Sequence, residues 1–369
     1  MAIDLPIAWL QLRAQKTQAF WAIASIIFIT ALLFIQIGTR SAFLDALIEM
    51  PRKLKGDLFL FNSSTVTVLR PVSFSQRRLY KALAFAEVDS IMPLYMSLTQ
   101  IPDPSGKPGY LIRLLVIGFP ISRNPFDINE LDNKLHLLGE GGVFLMDERS
   151  RPEFRPIIKE VANKGRKKIP LMGGPNQITT SINGLFTLGS NDAVYSHLLT
   201  SDATFIDIFR TKRENIDIGV IHLKPGVDLD RVQKLLSEYL PSDVVVRKKD
   251  EVLAKEKELF EFKTPAGIVF RFGMITATAV GIIVIYQLLF QITSRYLREY
   301  STLKALGYSH GMLISIVLTQ AMTLTVTGYA LGFVISSSLY DWLSERVAIP
   351  YEMKISTGLA VFALVFFIS

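Results

Sequence analysis

Histidine side chains can bind a metal or transfer protons, and the four histidines of this sequence occur singly: His136, His197, His222 and His310. None has a second histidine three or four residues away, the spacing that would place two ligands on one helical face. The chain has no cysteine, which excludes disulfide frameworks, thiolate nucleophiles and cysteine-ligated zinc or iron–sulfur sites. We therefore predict no metal site and no redox chemistry.

The sequence also lacks motifs for nucleotide binding and for acid–base catalysis. No G-x-G-x-x-G pattern follows a predicted strand, and the Gly-Lys pair at Gly106 and Lys107 is followed by Pro108, where a P-loop needs Ser or Thr to hold magnesium. Many Asp and Glu residues lie in the polar part of the chain, but the sequence pairs no two of them as acid and base. We predict that the chain has no catalytic residue and binds no cofactor itself.

The composition predicts a membrane protein with a large water-exposed part. Half of the residues are apolar and 20% are charged, too apolar for a soluble domain and too polar for a chain wholly within a membrane. The apolar residues are concentrated in a few long runs. We predict an α-helical bundle of four transmembrane helices per protomer, the fourth incomplete here, with a large α+β periplasmic domain inserted between helices 1 and 2. That domain is nearly balanced in charge, so nucleic acid is not an expected partner.

Three apolar runs are long enough for a helix to cross about 30 Å of hydrocarbon. They predict transmembrane helices at 17–39, 265–294 and 310–340. A secretory signal peptide is the competing interpretation of the first run, but such peptides have shorter apolar regions, and no small-residue cleavage site follows Arg40. A fourth stretch, 356–369, is too short to cross a membrane, so we expect it to be the start of a fourth helix that continues further.

The distribution of positive charge predicts the orientation. The positive residues lie before the first run and after the second: Arg13, Lys16, Arg295, Arg298 and Lys304. Because Lys and Arg in short loops stay in the cytoplasm, an interfacial helix at 1–16 and the loop 295–309 are predicted to be cytoplasmic. The segment 40–264 and the mixed-charge loop 341–355 are then periplasmic, and the protein is predicted to be a multi-pass protein of the bacterial inner membrane.

The periplasmic segment has the pattern of an α+β domain. Short apolar runs predict strands at 58–61, 65–69, 91–98, 111–119, 143–146 and 216–223. Residues 216–247 follow the order strand, turn, helix and strand, and a helical pattern at 76–85 lies between earlier strands. We predict two porter-like α+β halves at about 51–140 and 214–247.

The middle of this segment, about 141–213, has a different composition. It is rich in Gly, Asn, Ser and Thr, and Gly173-Gly174-Pro175 and Asn183-Gly184 are typical turn signals. We predict an inserted β-rich subdomain here. Residues 248–264 are charged and free of helix breakers, which predicts a stalk helix leading into the second membrane helix.

Two basic clusters lie in the periplasmic segment near loop signals: Arg166-Lys167-Lys168 and Arg210-Thr211-Lys212-Arg213. They could contact an acidic partner or an anionic lipid. A solvated surface is the simpler interpretation of the same residues, and the sequence leaves both open.

Small residues recur every four positions in the second and third apolar runs: Gly273, Ala277 and Gly281, then Gly328, Gly332 and Ser336. Such stripes let helix backbones approach closely, and they predict helix packing either within one protomer or between the two copies of a homodimer. No ionisable residue lies at 272–294 or 312–339, whereas an ion-coupled transporter would be expected to carry one near the middle of the membrane.

The loop 295–309 contains good helix formers up to Gly307, and Lys304 lies where it complements the carbonyl end of a helix. Leu303 and Leu306, three residues apart, are predicted to form one apolar edge. An exposed amphipathic helix that covers no core of its own favours a cytoplasmic partner, although a plain helical connector has the same pattern.

The residues Arg298-Glu299, followed by Leu303-Lys304-Ala305-Leu306-Gly307, resemble the coupling helix of the MacB/FtsX-like family of ABC permeases. That family is also similar in its order of one transmembrane helix, a large extracytoplasmic domain and three further helices. Tyr300-Ser301-Thr302 and the opening stretch 6–12 resemble more narrowly the DevC-type permeases of cyanobacteria.

The resemblance implies a non-catalytic, homodimeric permease bound to a separate ATPase, which holds ATP and magnesium. Conformational change would pass through the helices to the periplasmic domain, which would work with a periplasmic adaptor (a membrane fusion protein) and a TolC-like outer-membrane channel to export a lipid or glycolipid. The ATPase contact is then predicted at Arg298, Glu299, Leu303, Lys304, Ala305, Leu306 and Gly307. Two alternatives remain within the family: an FtsX-like regulator of a cell-wall hydrolase and a lipoprotein-extracting permease.

Overall fold

The structure, a computed structural model, describes residues 10–11, 13–14, 16–106, 109–173, 176–190, 194–347 and 351–368. The described chain divides into two compact units. We call one the helical unit, which takes in the described residues of Met1–Ala42, Thr264–Arg346 and Pro350–Ser369. The other is the α/β unit, which takes in Phe43–Lys263. Most of the predicted interfacial helix at 1–16 lies outside the described residues.

The helices and strands are numbered in chain order. The helices are α1 (Lys16–Lys53), α2 (Gln76–Tyr80), α3 (Asn129–Asp132), α4 (Arg155–Lys164), α5 (Asp202–Phe209), α6 (Leu229–Tyr239), α7 (Lys249–Lys263), α8 (Pro265–Ala305), α9 (His310–Val347) and α10 (Ile355–Ile368). The strands are β1 (Leu58–Asn62), β2 (Phe74–Ser75), β3 (Val88–Pro102), β4 (Leu111–Phe119), β5 (Val143–Asp147), β6 (Lys167–Gly173), β7 (Asn176–Phe186), β8 (His197–Ser201), β9 (Asn215–Ile216), β10 (Ile218–Leu223) and β11 (Val244–Lys248).

Within the described residues, three helices are long and apolar enough to span a membrane: Lys16–Lys53, Pro265–Leu288 and His310–Ser344. The first and third contain the predicted spans 17–39 and 310–340, and the second covers 265–288 of the predicted span 265–294. The fourth predicted stretch forms α10, a shorter apolar helix.

These long helices continue past the predicted edges of their spans. α1 runs through the predicted start of the periplasmic domain at residue 40 and ends at Lys53, and α9 takes up the first residues of the predicted loop 341–355. No glycine or proline interrupts the chain between residues 40 and 50, so nothing ends the helix where its composition becomes polar. Hydropathy therefore predicts the apolar part of each helix, but it does not predict the residue at which the helix ends.

Among the described residues, nine strands of the α/β unit form one sheet in the order β11-β1-β10-β3-β4-β8-β5-β7-β6. Its first four strands are antiparallel, because β1 pairs with both β11 and β10, and β10 pairs with β3. In sequence, α2 connects β1 to β3 and α6 connects β10 to β11. The two predicted halves therefore interleave as two split strand–helix–strand units that share one sheet.

The helix α6 shows how local sequence sets this arrangement. The Asp228 side chain accepts hydrogen bonds from the backbone N–H groups of Asp230 (3.0 Å) and Arg231 (3.4 Å), and so caps the start of the helix. Val232 and Leu236 lie one turn apart and are buried in the core of the sheet. The cap and the apolar spacing together fix which face of α6 covers the sheet.

The strand β3 is 15 residues long and has different neighbours along its length. Its first half pairs with β10 up to Leu94, and its second half pairs with β4 from Tyr95 onward. At this change of neighbour the buried Asp217 carboxylate accepts hydrogen bonds from the Met96 backbone N–H and the Ser73 hydroxyl, both at 2.7 Å. Asp217 thus supplies an acceptor for β3 at the point where the strand leaves β10.

The predicted β-rich insertion at 141–213 contains the four strands β5 to β8, but these strands do not form a sheet of their own. They extend the main sheet, because β8 pairs with β4 in parallel, and the segment also contains the helices α4 and α5. The sheet curls back on itself, since the Thr99 hydroxyl of β3 donates a hydrogen bond of 2.5 Å to the Met172 carbonyl of the edge strand β6. Sequence composition could not show this, because strand neighbours are set by contacts far apart in the chain.

The predicted turn at Asn183-Gly184 is wrong, because both residues lie inside β7. The register between β5 and β7 shifts here: Phe144 faces Ile182 and Leu145 faces Gly184, which leaves Asn183 as the extra residue of a β-bulge. Of the other predicted turn signal, residues 174 and 175 lie outside the described residues.

The predicted stalk at 248–264 forms α7, which packs onto the α/β unit through a buried carboxylate. Glu256 accepts hydrogen bonds from the Thr67 hydroxyl and the Val68 backbone N–H, both at 2.8 Å. These contacts lie beside a turn at residues 68–69, which an isolated bridge between Thr67 and Arg70 closes, whereas the sequence predicted a strand at 65–69. Burial raises the pKa of the Glu256 carboxyl, and burial likewise raises the pKa of Asp217 against the opposing effect of its hydrogen bonds.

These two carboxyl groups predict how the stability of the α/β unit depends on pH. A carboxyl with a raised pKa binds its proton more tightly in the folded state than in the unfolded state, so its contribution to the free energy of unfolding falls as pH rises through the raised pKa. The double variant Asp217→Asn, Glu256→Gln is therefore expected to lose stability less steeply than the wild type as pH rises above the usual carboxyl range. Urea unfolding of the purified full-length protein, followed by circular dichroism from about pH 4 to about pH 8, measures this slope.

The matched control is Asp207→Asn, Glu258→Gln, which removes two exposed carboxylates of the same unit. It is expected to keep the wild-type slope. A double variant of Asp217 and Glu256 with a slope equal to that of the wild type would contradict the prediction.

Candidate functional site

The predicted coupling segment 295–309 is not a separate helix. α8 continues without a break from its apolar span to Ala305, and α9 begins at His310. No glycine or proline lies between Gly281 and Gly307, so the helix has no reason to stop at the predicted membrane edge. The segment is therefore the exposed end of a 41-residue helix, followed by a short turn.

Gly307 ends this helix as the sequence predicted. The Tyr308 backbone N–H donates to the Leu303 carbonyl at 3.2 Å, and the Gly307 N–H donates to the Lys304 carbonyl at 3.1 Å. This pair of bonds is a Schellman motif, which needs a left-handed residue that glycine provides, and Gly307 has φ of 93°. The Ser309 hydroxyl then accepts from the Met312 N–H at 3.3 Å and starts α9.

The residues predicted to contact an ATPase are exposed, with the exception of Leu303: Arg298, Glu299, Lys304, Ala305, Leu306 and Gly307. Leu306 is 71% exposed. Leu303 is half-buried and packs against the core of the helical unit. The predicted apolar edge of Leu303 with Leu306 does not form, because Leu303 faces inward and leaves Leu306 as the exposed leucine of this turn.

A polar network that the sequence analysis missed lies beside this segment. The Tyr296 hydroxyl donates to the Gln11 backbone carbonyl at 2.9 Å, and the Gln11 side-chain amide donates to the Glu299 carboxylate at 3.3 Å. Gln320 of α9 donates to the side-chain oxygen of Gln11. The network joins the N-terminal segment, α8 and α9. The sequence signal for this network was Gln320, an amide side chain within an apolar, uncharged run. The structure shows that Gln320 is buried.

A mainly apolar groove of ≈ 520 Å³ lies next to this network. Leu10 and Ala14 form one side, and Tyr296, Glu299 and Leu303 form the other. The exposed end of α8 and the turn after it thus present charged side chains, the exposed leucines Leu297 and Leu306, and an adjoining groove.

The small residues of α8 and α9 pack against α1 of the same chain. A Cβ atom on Gly328 would lie 2.6 Å from Ile26, one on Gly332 would lie 2.8 Å from Thr30, and one on Gly273 would lie 2.9 Å from Gln36. The other members of the two stripes are buried: Ala277, Gly281 and Ser336. Both stripes therefore serve packing within one protomer in this structure.

Gly38 of α1 is a further close contact, which lies outside the stripes that the sequence analysis considered. Its Cα lies against the ring of Tyr340, where a Cβ atom would have no room. The Tyr340 hydroxyl donates a hydrogen bond of 2.5 Å to the Phe34 carbonyl. The sequence did not predict this contact, because it involves a single glycine and not a repeat of small residues.

These contacts predict that Gly332→Leu destabilises the helical unit. The added side chain must displace Thr30 or separate α9 from α1, and such overpacking costs about 1–3 kcal/mol. We expect a lower thermal unfolding temperature for the detergent-solubilised protein, measured by size-exclusion chromatography after heating. Gly311→Leu is the control, because a Cβ atom on Gly311 of the same helix meets nothing within 4 Å. Equal unfolding temperatures for the two variants would refute this packing.

The α/β unit contains a buried histidine–aspartate pair. His197 Nδ1 lies 3.4 Å from Asp147 Oδ2, and both side chains are almost fully buried. The Asp147 carboxylate also accepts from the backbone N–H groups of Leu188 (3.0 Å) and Gly189 (2.7 Å), so it fixes the chain after β7. The pairing of β5 with β8 brings the two residues together, which spacing along the sequence could not indicate.

The other histidines do not join this pair. His136 and His310 are exposed, and His222 is half-buried, with a pKa lowered first by burial and then by Arg123. Within the residues that the structure describes, no group of three or more His, Cys, Asp or Glu side chains is placed to hold a metal ion.

Part of the chain matches a protein-family model. Residues 271–369 match the family model described as FtsX-like permease C-terminal, a stretch that includes the exposed end of α8 together with α9 and α10. No curated protein sequence matches the chain.

Several solved structures are similar to part of the chain at low identity. The periplasmic region of MacB from Actinobacillus actinomycetemcomitans has 13% identity and a TM-score of 0.36, and the match covers 58% of this chain and 96% of that one. The extracellular domain of the noncanonic ABC-type transporter YknZ from Gram-positive bacteria has 11% identity and a TM-score of 0.35, with 52% and 99% covered. A domain of a putative permease protein from Porphyromonas gingivalis has 12% identity and a TM-score of 0.32, with 52% and 86% covered.

Proposed function

We propose that this chain, which matches the FtsX-like permease C-terminal family model through residues 271–369, is a MacB/FtsX-like permease and the transmembrane subunit of an ABC-type exporter. The predicted resemblance is confirmed at the level of this family. ATP and magnesium would bind to a separate ATPase, and this chain would contribute no catalytic residue. The narrower, DevC-type resemblance is part of the proposal.

The observation that carries the proposal is the unbroken helix α8. It includes the apolar span Pro265–Leu288 and continues to Ala305, where Arg298, Glu299 and Lys304 are exposed. Because every backbone hydrogen bond of a helix links neighbouring turns, a displacement applied at one end moves the whole element. A partner that pushes on the exposed end would therefore move the membrane span directly.

The ATPase contact is proposed at the exposed end of α8 and the turn after it. Leu306 would insert into an apolar pocket of the ATPase, and Arg298, Glu299 and Lys304 would form charged contacts around it. Glu299 also accepts a hydrogen bond from Gln11, so movement of this end would reach α9 through Gln320.

The remaining parts of the exporter are proposals from the resemblance and the charge distribution. The α/β unit would lie in the periplasm, where it would contact an adaptor and, through it, a TolC-like outer-membrane channel, with a lipid or glycolipid as cargo. The protein would work as a homodimer. Only 17% of the most apolar window of α8 is buried within the chain, so a face of large apolar side chains is available to lipid or to a second copy.

Affinity purification of the full-length protein from native membranes, with identification of co-purifying proteins, tests the proposed function. Recovery of an ATPase, an adaptor and an outer-membrane channel is the expected result. Recovery of the ATPase with a cell-wall hydrolase in place of the adaptor would support the FtsX-like regulator instead. Recovery of no ATPase would overturn the proposal.

The same purification tests the proposed contact at Leu306. Leu306→Asp places a charge where an apolar side chain would be buried, so we expect at least a tenfold loss of ATPase recovery, in line with the roughly 1.5–3 kcal/mol for burying a leucine. Leu306→Ala is expected to give an intermediate loss.

The control is Leu83→Asp, which makes the same chemical change at an exposed leucine of the α/β unit. It is expected to retain wild-type ATPase recovery. Undiminished recovery and ATP turnover with Leu306→Asp would remove Leu306 from the contact.

A further inference from the structure

A cavity in the α/β unit has no part in the proposed ATPase contact. It lies where the edge strand β6 approaches β3, beside the hydrogen bond from Thr99 to Met172. Its volume is ≈ 520 Å³. That size falls within the ~300–1,000 Å³ of sites that hold small organic ligands.

The lining of this cavity carries positive charge. Arg70 and Arg113 line it, both side chains are exposed, and neither forms an ion pair with another described residue. The described lining contains no carboxylate, while Ser97, Gln100 and Thr211 add hydroxyl and amide groups. Arginine stays charged at any working pH and binds phosphate or carboxylate through two parallel hydrogen bonds.

The second basic cluster of the sequence adjoins the same cavity. Thr211, which lines it, is flanked by Arg210 and Lys212, and neither of these pairs with a described carboxylate. Arg213 is the exception, because it lies 4.0 Å from Asp202. The cluster therefore adds positive charge next to the cavity wall that holds Thr211.

Part of the lining of this cavity is apolar. Leu98, Met172 and Phe209 line it. The Phe209 ring lies 4.6 Å from that of Phe205, which is buried, and the Met172 backbone is fixed by Thr99. The Phe209 ring and the Met172 backbone are thus held in place before a ligand arrives, which lowers the cost of ordering on binding.

We propose that this cavity binds an anionic amphiphile. A phosphate or carboxylate group would bind between Arg70 and Arg113, and an apolar chain would lie against Leu98, Met172 and Phe209. This assignment deepens the proposed function, and it rests on that function for the role of the ligand as cargo. The binding itself rests only on the cavity.

The test uses purified full-length protein in the non-ionic detergent dodecyl maltoside and isothermal titration calorimetry. The three probes are dihexanoyl phosphatidic acid, dihexanoyl phosphatidylcholine and inorganic phosphate. We expect saturable binding of the phosphatidic acid and at least about tenfold weaker binding of the other two probes. Phosphatidylcholine lacks the net negative charge of the headgroup, and inorganic phosphate lacks the apolar chain. Affinity for the phosphatidic acid is expected to fall as salt is added.

Two variants locate the binding. Arg70→Gln and Arg113→Gln are each expected to weaken phosphatidic acid binding about tenfold, the effect of losing a charged pair of hydrogen bonds. Both side chains are exposed, so the fold is expected to survive, and circular dichroism checks this. The matched controls Arg77→Gln of α2 and Arg231→Gln of α6 remove the same charge at exposed positions that do not line the cavity.

Each other outcome overturns the assignment. If inorganic phosphate bound as tightly as phosphatidic acid, the cavity would be a site for a free anion. If phosphatidylcholine bound as tightly as phosphatidic acid, the cavity would be an apolar site that does not select for charge. Equal loss in the controls would mean a general effect of surface charge, and no loss at Arg70 or Arg113 would place the binding elsewhere. The assay contains no ATPase, so its failure is distinguishable from failure of the proposed ATPase contact.

Discussion

The buried carboxylate of Asp217 holds β3 at the point where that strand exchanges one neighbour for another. It gives the Met96 backbone N–H an acceptor at 2.7 Å, and a buried donor left without one would cost about 1–3 kcal/mol. The interleaved strands β11, β1 and β10 lie on one side of this point, and the strands from β4 to β6 lie on the other. The curl of the sheet, and with it the cavity lined by Arg70 and Arg113, depends on β3 passing through both parts unbroken.

The helical unit follows a different constraint. Backbone groups in hydrocarbon must find their partners within the chain, so an apolar run becomes a helix. Glycines at 328 and 332 then let α9 approach α1, and Tyr340 closes over Gly38. Polar side chains are gathered instead beside the end of α8, where Gln11, Glu299 and Gln320 are hydrogen-bonded. The unit combines a tightly packed interior with one exposed, charged helix end, the arrangement that the proposed transmission of motion requires.

Local chemistry allowed a good part of this to be predicted from the sequence. The spans follow from hydropathy, the end of α8 follows from Gly307, and the strand–helix–strand pattern around α6 follows from the spacing of Val232 and Leu236. The exposure of Arg298, Lys304 and Leu306 was likewise predictable from their types and positions. Each of these features depends on residues within one or two turns of one another, and that is the range over which a sequence pattern is informative.

The sequence by itself thus determined where apolar helices form, where α8 stops and which residues of its end carry charge. Only the tertiary structure decided that residues 141–213 join the main sheet, that Asn183 forms a bulge within β7, and that His197 meets Asp147. It also decided that Leu303 faces the core while Leu306 does not, and that two arginines distant in sequence line one cavity. The physical reason is the same in each case: strand neighbours and helix faces are chosen by contacts between segments far apart in the chain, which no local pattern records.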